Sequence, residues 1–424
     1  MVMPFEQSQP DMDSLIVKIK SDDSDERRLS VYALESYPRD QIFPYLVEAL
    51  QDECRGVREA ASEIILQIPA EKYAQQLVSL LGSPRIEVRN LVAEILVQFG
   101  KVATPALIQA LTAGNEDERK FAADILGLIG DDRAVNRLSW VAEHDPEDNV
   151  VIAAIEAIGK IKSVDALPLL QYLFLARPLF QPTIAEAMGL IGDPSVCHFL
   201  ESHLNTQDPV VAFGIVDALG NLGQASSVDV LVTFYSQVEG ELRHQTAKAV
   251  LKIARKAEID LLTDLPSSFW NSIANLLIEG DSELEEILIY HIQHSPSATV
   301  ISMMWQMVSI APESLLITFI NIVRGRSEFL KLICQLCHHD NPNVAYQAIE
   351  SLTYYPPDIV APHLKELLGI VSGPPLIAAL EVIAAHRLRE FIPLIQPLCQ
   401  SDDLDVQLLA EEVITYLNRE NVGE

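Results

Sequence analysis

VRNLVAEILVQFG (Val88–Gly100), ERKFAADILGLIG (Glu118–Gly130), VVIAAIEAIGKIK (Val150–Lys162) and VAFGIVDALGNLG (Val211–Gly223) are four versions of one pattern. Their second residues fall at 89, 119, 151 and 212, and the same register passes through Arg28, Arg58, Gln181 and Arg243 in steps of 30 to 32 residues. A fixed period of this length marks a repeated supersecondary unit. The register blurs over Lys256–Trp270, where the sequence reads as an insertion, and resumes at Glu285, Leu316, Ala345, Leu376 and Gln407. Thirteen units are expected.

Each unit carries two apolar stretches with i, i+3, i+4, i+7 spacing around a polar turn, as in TPALIQALTAGNEDERKFAADILGLIG (Thr104–Gly130). That spacing predicts two amphipathic helices, hence a helical hairpin. Pro recurs near fourteen residues before the register residue, at Pro44, Pro105, Pro168, Pro362 and Pro393, a place that suits the first turn of a helix. Asp22, Asp52, Asp145, Asp208, Asp340 and Asp402 fill the turn, as helix N-caps. Gly130, Gly192 and Gly223 close the unit, where a left-handed C-cap favours glycine. One hairpin cannot bury its own apolar face, so the hairpins must stack. The expected architecture is an all-α, right-handed α-solenoid: a flexible tail over 1–13, N-terminal repeats over 14–255, a junction at 256–270 and more divergent repeats over 271–420.

The register Arg followed by small residues, an acid and Leu-Gly-x-x-Gly resembles HEAT repeats, in particular the HEAT-like repeats of the phycobilisome-lyase type. VRNLVAEILVQFG, ERKFAADILGLIG and QPTIAEAMGLIG (Gln181–Gly192) carry the resemblance, which spans about Ser14 to Glu420. It implies a solenoid whose second helices line a concave face. Among such proteins are bilin-lyase subunits, assembly scaffolds and proteins that simply hold other proteins. It also implies an Asp–Arg ladder between neighbouring units, formed by the turn Asp residues with Arg28, Arg58, Arg89, Arg119 and Arg243.

Five residues beyond the register residue lies an acidic column. It reads Glu63, Glu94, Asp124, Glu156, Glu186 and Asp217, then Lys248, Tyr290 and Asn321, then Glu350, Glu381 and Glu412, so nine of twelve positions are acidic. Stacked helices sit about 10 Å apart, which turns the column into a ribbon of carboxylates. Such a ribbon is either a solvated face or a groove for a basic or amphipathic helical segment of a protein partner. The chain holds 30 Lys and Arg against 60 Asp and Glu, a formal charge of −30, more than solubility requires. That excess disfavours nucleic acid and anionic membranes as partners.

CQLCHH (Cys334–His339) has the Cys-x-x-Cys-His spacing of haem attachment, and Cys334, Cys337, His338 and His339 form a weak candidate metal set. Alignment with PLCQSDD (Pro397–Asp403) places Cys337 opposite Cys399 at a core position, so structural thiols are expected. His291 and His294, at i and i+3, are expected on the surface. Trp140, Trp270, Trp305 and Met303, Met304 and Met307 read as core. No phosphate loop, Gly-x-Ser-x-Gly elbow or His-Glu-x-x-His occurs, so no catalytic residue and no cofactor is expected. The five scattered Cys and the absence of a signal-like pattern at Met1–Pro10 lead to a cytoplasmic expectation. The apolar stretch Thr299–Val323 is broken by Ala311–Ser314 and reads as two helices and a turn. The leading expectation is a non-catalytic protein-binding scaffold; the alternative is a subunit of a bilin lyase or isomerase, or a cofactor-delivery chaperone.

Overall fold

The computed structural model describes residues 11–259 and 265–419. Among them the chain is all-α, with twenty-six α-helices pairing in sequence order into thirteen hairpins and no strand. The first helix is Met12–Lys18, so the proposed tail over 1–13 lies mostly outside the described residues. No described helix is long and apolar enough to cross a membrane.

The chain divides into two compact units after Leu222. In the first, the second helices of the hairpins are Ser24–Ala33, Arg55–Ile65, Ile86–Phe99, Glu116–Ile129, Asp148–Ile161, Gln181–Ile191 and Pro209–Leu222. In the other they are Gly240–Lys256, Ser282–His294, Glu313–Val323, Pro342–Ser351, Pro374–Ala385 and Leu404–Arg419. The 256–270 segment falls within this other unit and partly outside the described residues.

Glycine sets the tightest packing in the first unit. A Cβ added at Gly127 would lie 2.9 Å from Ala157 Cα, and at Gly159 or Gly189 it would lie 2.8 Å from the Cα of Ala187 or Ala218. Only a residue without a Cβ permits that backbone approach. Each glycine thus seats the alanine of the next second helix, and this layer is the more closely packed of the two. Gly130, Gly192 and Gly223 have φ of 68°, 80° and 70° and end their helices as the sequence predicts. Lys162 and Arg387 occupy the same step of the repeat with φ of 61° and 56°.

The arginine ladder differs from expectation. Arg28 bonds Asp25 of its own helix at 3.1 Å, while its neighbour Arg27 forms the link to the next hairpin, with two 2.8 Å bonds to Asp52. The reason lies in a shared contact. Arg27, Arg58, Arg89 and Arg119 each donate to the carbonyl six residues earlier, at Ser21, Asp52, Ser83 and Ala113. The first hairpin's register residue is therefore Arg27, and the guanidinium serves first to cap the turn carbonyls. Only Arg27, Arg89 and Arg119 also reach an Asp of the next hairpin; Arg243 instead stacks on Tyr235 at 5.0 Å. The caps are likewise displaced by one at Asp23, Asn341 and Asp403, whose side chains accept from the backbone two residues on.

Pro44 and Pro362 also depart from the reading, since they stand inside the helices Arg39–Ala49 and Pro357–Leu367. In both hairpins the preceding second helix ends early in a 3₁₀ turn, Leu34–Ser36 or Leu352–Tyr354, and Pro38 or Pro356 starts the next helix ahead of schedule.

Trp270 is fully buried, but Trp140 and Trp305 are 45% and 44% exposed, not core. Trp140 lies off the apolar face of Val135–His144, between the Arg137 guanidinium and the His144 ring. Trp305 lies opposite the buried row Val300, Met303, Met304 and Met307.

Asp131 begins the turn after Gly130. It is buried, takes bonds from Thr104 Oγ1 at 2.8 Å and from the Arg133 side chain, and these hold its carboxyl down at about 2. Because the folded value is depressed, its contribution is complete above the unfolded value near 4 and disappears as pH falls towards 2. Asp131→Asn is expected to cost about 2 kcal/mol at pH 7 and little at pH 2. Denaturation midpoints of both proteins across that window check this.

Candidate protein-binding face

The acidic column starts from helix period. Its members stand beside core residues on the second helices, one step outside the buried stripe. Glu63, Glu94, Glu186, Glu350, Glu381 and Glu412 are exposed, and Asp124, Glu156 and Asp217 are half-buried. None is in the core.

From Asp124 to Asp217 the Gly-on-Ala contacts bring successive members together, because Asp124, Glu156 and Glu186 stand three residues before the seating Gly127, Gly159 and Gly189, and Glu156, Glu186 and Asp217 one residue before the receiving Ala157, Ala187 and Ala218. The consequence is visible at Glu186. Desolvation raises its carboxyl, and the neighbouring charges of Glu156 and Asp217 raise it further, with Lys160 opposing them. Local partners temper the row: Lys120 lies 2.9 Å from Asp124, Lys160 lies 3.5 Å from Glu156, and Asn221 donates to Asp217 at 2.9 Å. Tyr32, the column position of the corrected first hairpin, donates its hydroxyl to Glu63 at 2.9 Å.

A raised folded value means that ionised Glu186 opposes folding above its unfolded value, and that stability returns as pH falls through the raised one. Glu186→Gln is therefore expected to stabilise the chain at pH 7 by a few tenths of a kcal/mol, the scale of one like-charge contact. Denaturant midpoints at pH 7 and pH 4 read it, and the gain should vanish at the lower pH.

The other unit differs. Lys248, the first non-acidic member of the column, is buried and bonds Asp281 at 2.7 Å and Glu283 at 2.8 Å, while Lys252 bonds Glu283 at 3.1 Å. In the sequence Lys248, Tyr290 and Asn321 are simply the three non-acidic positions of the column. At Lys248 the structure has an ion-paired joint between two hairpins, signalled by Lys at i and i+4 facing an acid-rich helix start.

Glu350, Glu381 and Glu412 follow on three consecutive second helices. Four residues before and after each stand Tyr346 and Tyr354, Ile377 and Ala385, and Leu408 and Tyr416. Tyr354, Leu408 and Tyr416 are 55%, 56% and 42% exposed. A cleft of about 470 Å³ opens between Pro374–Ala385 and Leu404–Arg419, lined by Glu381, Ala384, Ala385, Glu412, Val413 and Tyr416 among others.

The thiols are poor ligands as they stand. Cys337 is buried and pushed well above the ordinary thiol value by desolvation; half-buried Cys334 is pushed up to about 11 by the same cause. A ligating thiol must lose its proton, and burial opposes this. His338 is exposed, and the His339 ring accepts from Asn341 N–H. Among the described residues no three His, Cys, Asp or Glu converge on a metal position. Cys399 is half-buried. His291 is not on the surface: its ring is buried with Nε2 near the Leu251 carbonyl, while exposed His294 stacks on Tyr290.

Stacked two-helix repeats with a continuous apolar interior in each unit define an all-α solenoid. The family model for HEAT repeats matches residues 12–97, 104–179 and 176–252, over half of the chain. The chain belongs to the HEAT-repeat family. The Kap95p solenoid solved in complex with RanGDP is 15% identical, with 95% of this chain and 67% of that one covered and a TM-score of 0.51. Yeast importin-beta (Kap95p) is also 15% identical, with 94% and 65% covered and a TM-score of 0.46. No curated protein matches by sequence.

Proposed function

We propose that this chain is a non-catalytic scaffold that holds a protein partner by a cationic segment laid across its second helices. The observation that carries the reading is the Gly-on-Ala seating of Gly127, Gly159 and Gly189, which packs carboxylates side by side on a solvent-facing layer. Like charges held together oppose folding, whereas a bound Lys- or Arg-rich segment relieves the repulsion and is steered in by the field. The −30 balance supports a basic partner and disfavours nucleic acid. A solenoid of the same fold, Kap95p, holds RanGDP.

Reversing Glu94, Asp124, Glu156 and Glu186 to Lys tests the reading. Capture of a basic partner from native lysate, identified by mass spectrometry at low and high salt, should be salt-sensitive and lost in the reversed chain, with far-UV circular dichroism unchanged. Capture that survives both salt and reversal reduces the column to a solvated face.

A further inference from the structure

The carboxylates of the last three hairpins differ from those of the first unit. Glu156 and Asp124 have a lysine four residues away on their own helix. The helices Pro342–Ser351, Pro374–Ala385 and Leu404–Arg419 contain no Lys, and their single Arg stands at the final position. Glu381 takes only a 3.4 Å bond from Tyr346 Oη, and no basic side chain among the described residues pairs with Glu350, Glu381 or Glu412. These charges are unspent, and two of them, Glu381 and Glu412, line a cleft together with Ala384, Ala385, Leu409, Val413 and Tyr416.

We infer that the cleft between Pro374–Ala385 and Leu404–Arg419 is the anchoring site for an amphipathic, arginine-bearing helix of the partner. The inference rests on the scaffold reading and names the place where the grip is strongest. Charge complementarity decides the occupant. An apolar helix would leave two carboxylates desolvated without a partner, and an acidic one would be repelled. An Arg guanidinium spans both needs, since it bonds carboxylates in a fork and stacks on an aromatic face such as Tyr416.

Spacing follows from the fold. Neighbouring packed helices lie about 8–10 Å apart, and residues i and i+7 of a helix share one face about 10.5 Å apart. A partner helix crossing the two second helices therefore places Arg at i and i+7 against Glu381 and Glu412, with apolar residues at i+3 and i+4 entering the cleft. Tyr354 and Leu408, exposed on either side of the acid row, continue the apolar contact along it.

The test uses the full chain and a fluorescein-labelled synthetic helix with Arg at i and i+7 and Leu at i+3 and i+4, read by fluorescence anisotropy. A permuted peptide of identical composition controls for bulk charge. The patterned peptide should bind at least about tenfold more tightly than the permuted one, the difference made by one well-placed contact. Glu381→Gln with Glu412→Gln should lose at least that factor and flatten the salt dependence. Ala385→Trp, which fills the cleft and leaves every charge in place, should lose a similar factor. Glu71→Gln with Glu87→Gln, at exposed acids outside the column, should leave the peptide's affinity unchanged. Equal binding of the two peptides, or full affinity in the Ala385→Trp chain with unaltered circular dichroism, overturns the inference. If peptide binding survives Glu381→Gln with Glu412→Gln but is lost in Glu156→Gln with Glu186→Gln, the anchor is misplaced while the scaffold reading stands. Loss of neither peptide nor lysate partner in any variant sinks both.

Discussion

Gly189→Ala is expected to destabilise the chain by about 1–3 kcal/mol, the cost of forcing a methyl into a full interface, although alanine is the better helix former by up to about 1 kcal/mol. Sterics decide the sign. The added Cβ would stand 2.8 Å from Ala218 Cα and 3.0 Å from Ala218 Cβ, and backbone atoms cannot swing aside as a flexible side chain would. The helices Gln181–Ile191 and Pro209–Leu222 must separate. Gly114→Ala is the control, since nothing lies within 4 Å of that position; its effect should stay within about 0.5 kcal/mol. Urea denaturation of both variants by circular dichroism measures the difference. The same separation moves Asp217 away from Glu186, so the carboxyl of Glu186 should return towards its ordinary value in an NMR titration. A silent Gly189→Ala would mean that the glycines do not set the spacing of the carboxylate row.

What is legible in the sequence depends on where each signal resides. The hairpins, their number and the glycine C-caps were legible because each is written in the local period and in residues whose backbone needs are strict. Gly130, Gly192 and Gly223 have the required positive φ. The acid column was legible as a position on the repeat, yet its two kinds of environment were not. Whether a carboxylate meets Lys160, as Glu156 does, or faces a cleft, as Glu412 does, depends on neighbours one repeat away as well as on its own helix. Arg28 was misassigned because two adjacent arginines fit a pattern that tolerates a one-residue slip, and only the contact six residues back separates them. Trp140 and Trp305 were misplaced through residue type: ring size suggested burial where helical phase, read against Leu138 and Val141 or Met304 and Met307, pointed outward. Lys248 shows the opposite failure. A charged residue in an exposed column became buried because Asp281 and Glu283 came to it from the next hairpin.

The largest loss is expected from Asp145→Ala, about 3–5 kcal/mol, the range for removing one partner of a buried ion pair. Asp145 lies in the turn of the fifth hairpin and is 7% exposed; Arg119, 9% exposed, reaches it from the second helix of the fourth. The fork is bidentate, with Nε to Oδ2 at 2.7 Å and Nη2 to Oδ1 at 3.0 Å, while Nη1 holds the Ala113 carbonyl at 2.9 Å and Asp145 also accepts from Glu147 N–H at 3.1 Å. Removing Asp145 leaves a guanidinium that cannot lose its proton in a place that water barely reaches. Arg119→Leu with Asp145→Ala should recover part of the loss, because the charge goes with its partner. Denaturant unfolding of the two single variants and the double closes the cycle, and a coupling energy above about 1 kcal/mol is expected for groups in direct contact. Additive losses would mean that the pair is a by-product of turn capping. The contrast with Arg28, whose bond to Asp25 is exposed and stays within one helix, supplies the scale: Asp25→Ala should cost no more than about 1 kcal/mol. The same two residue types thus differ several-fold in worth, and burial between hairpins is what separates them.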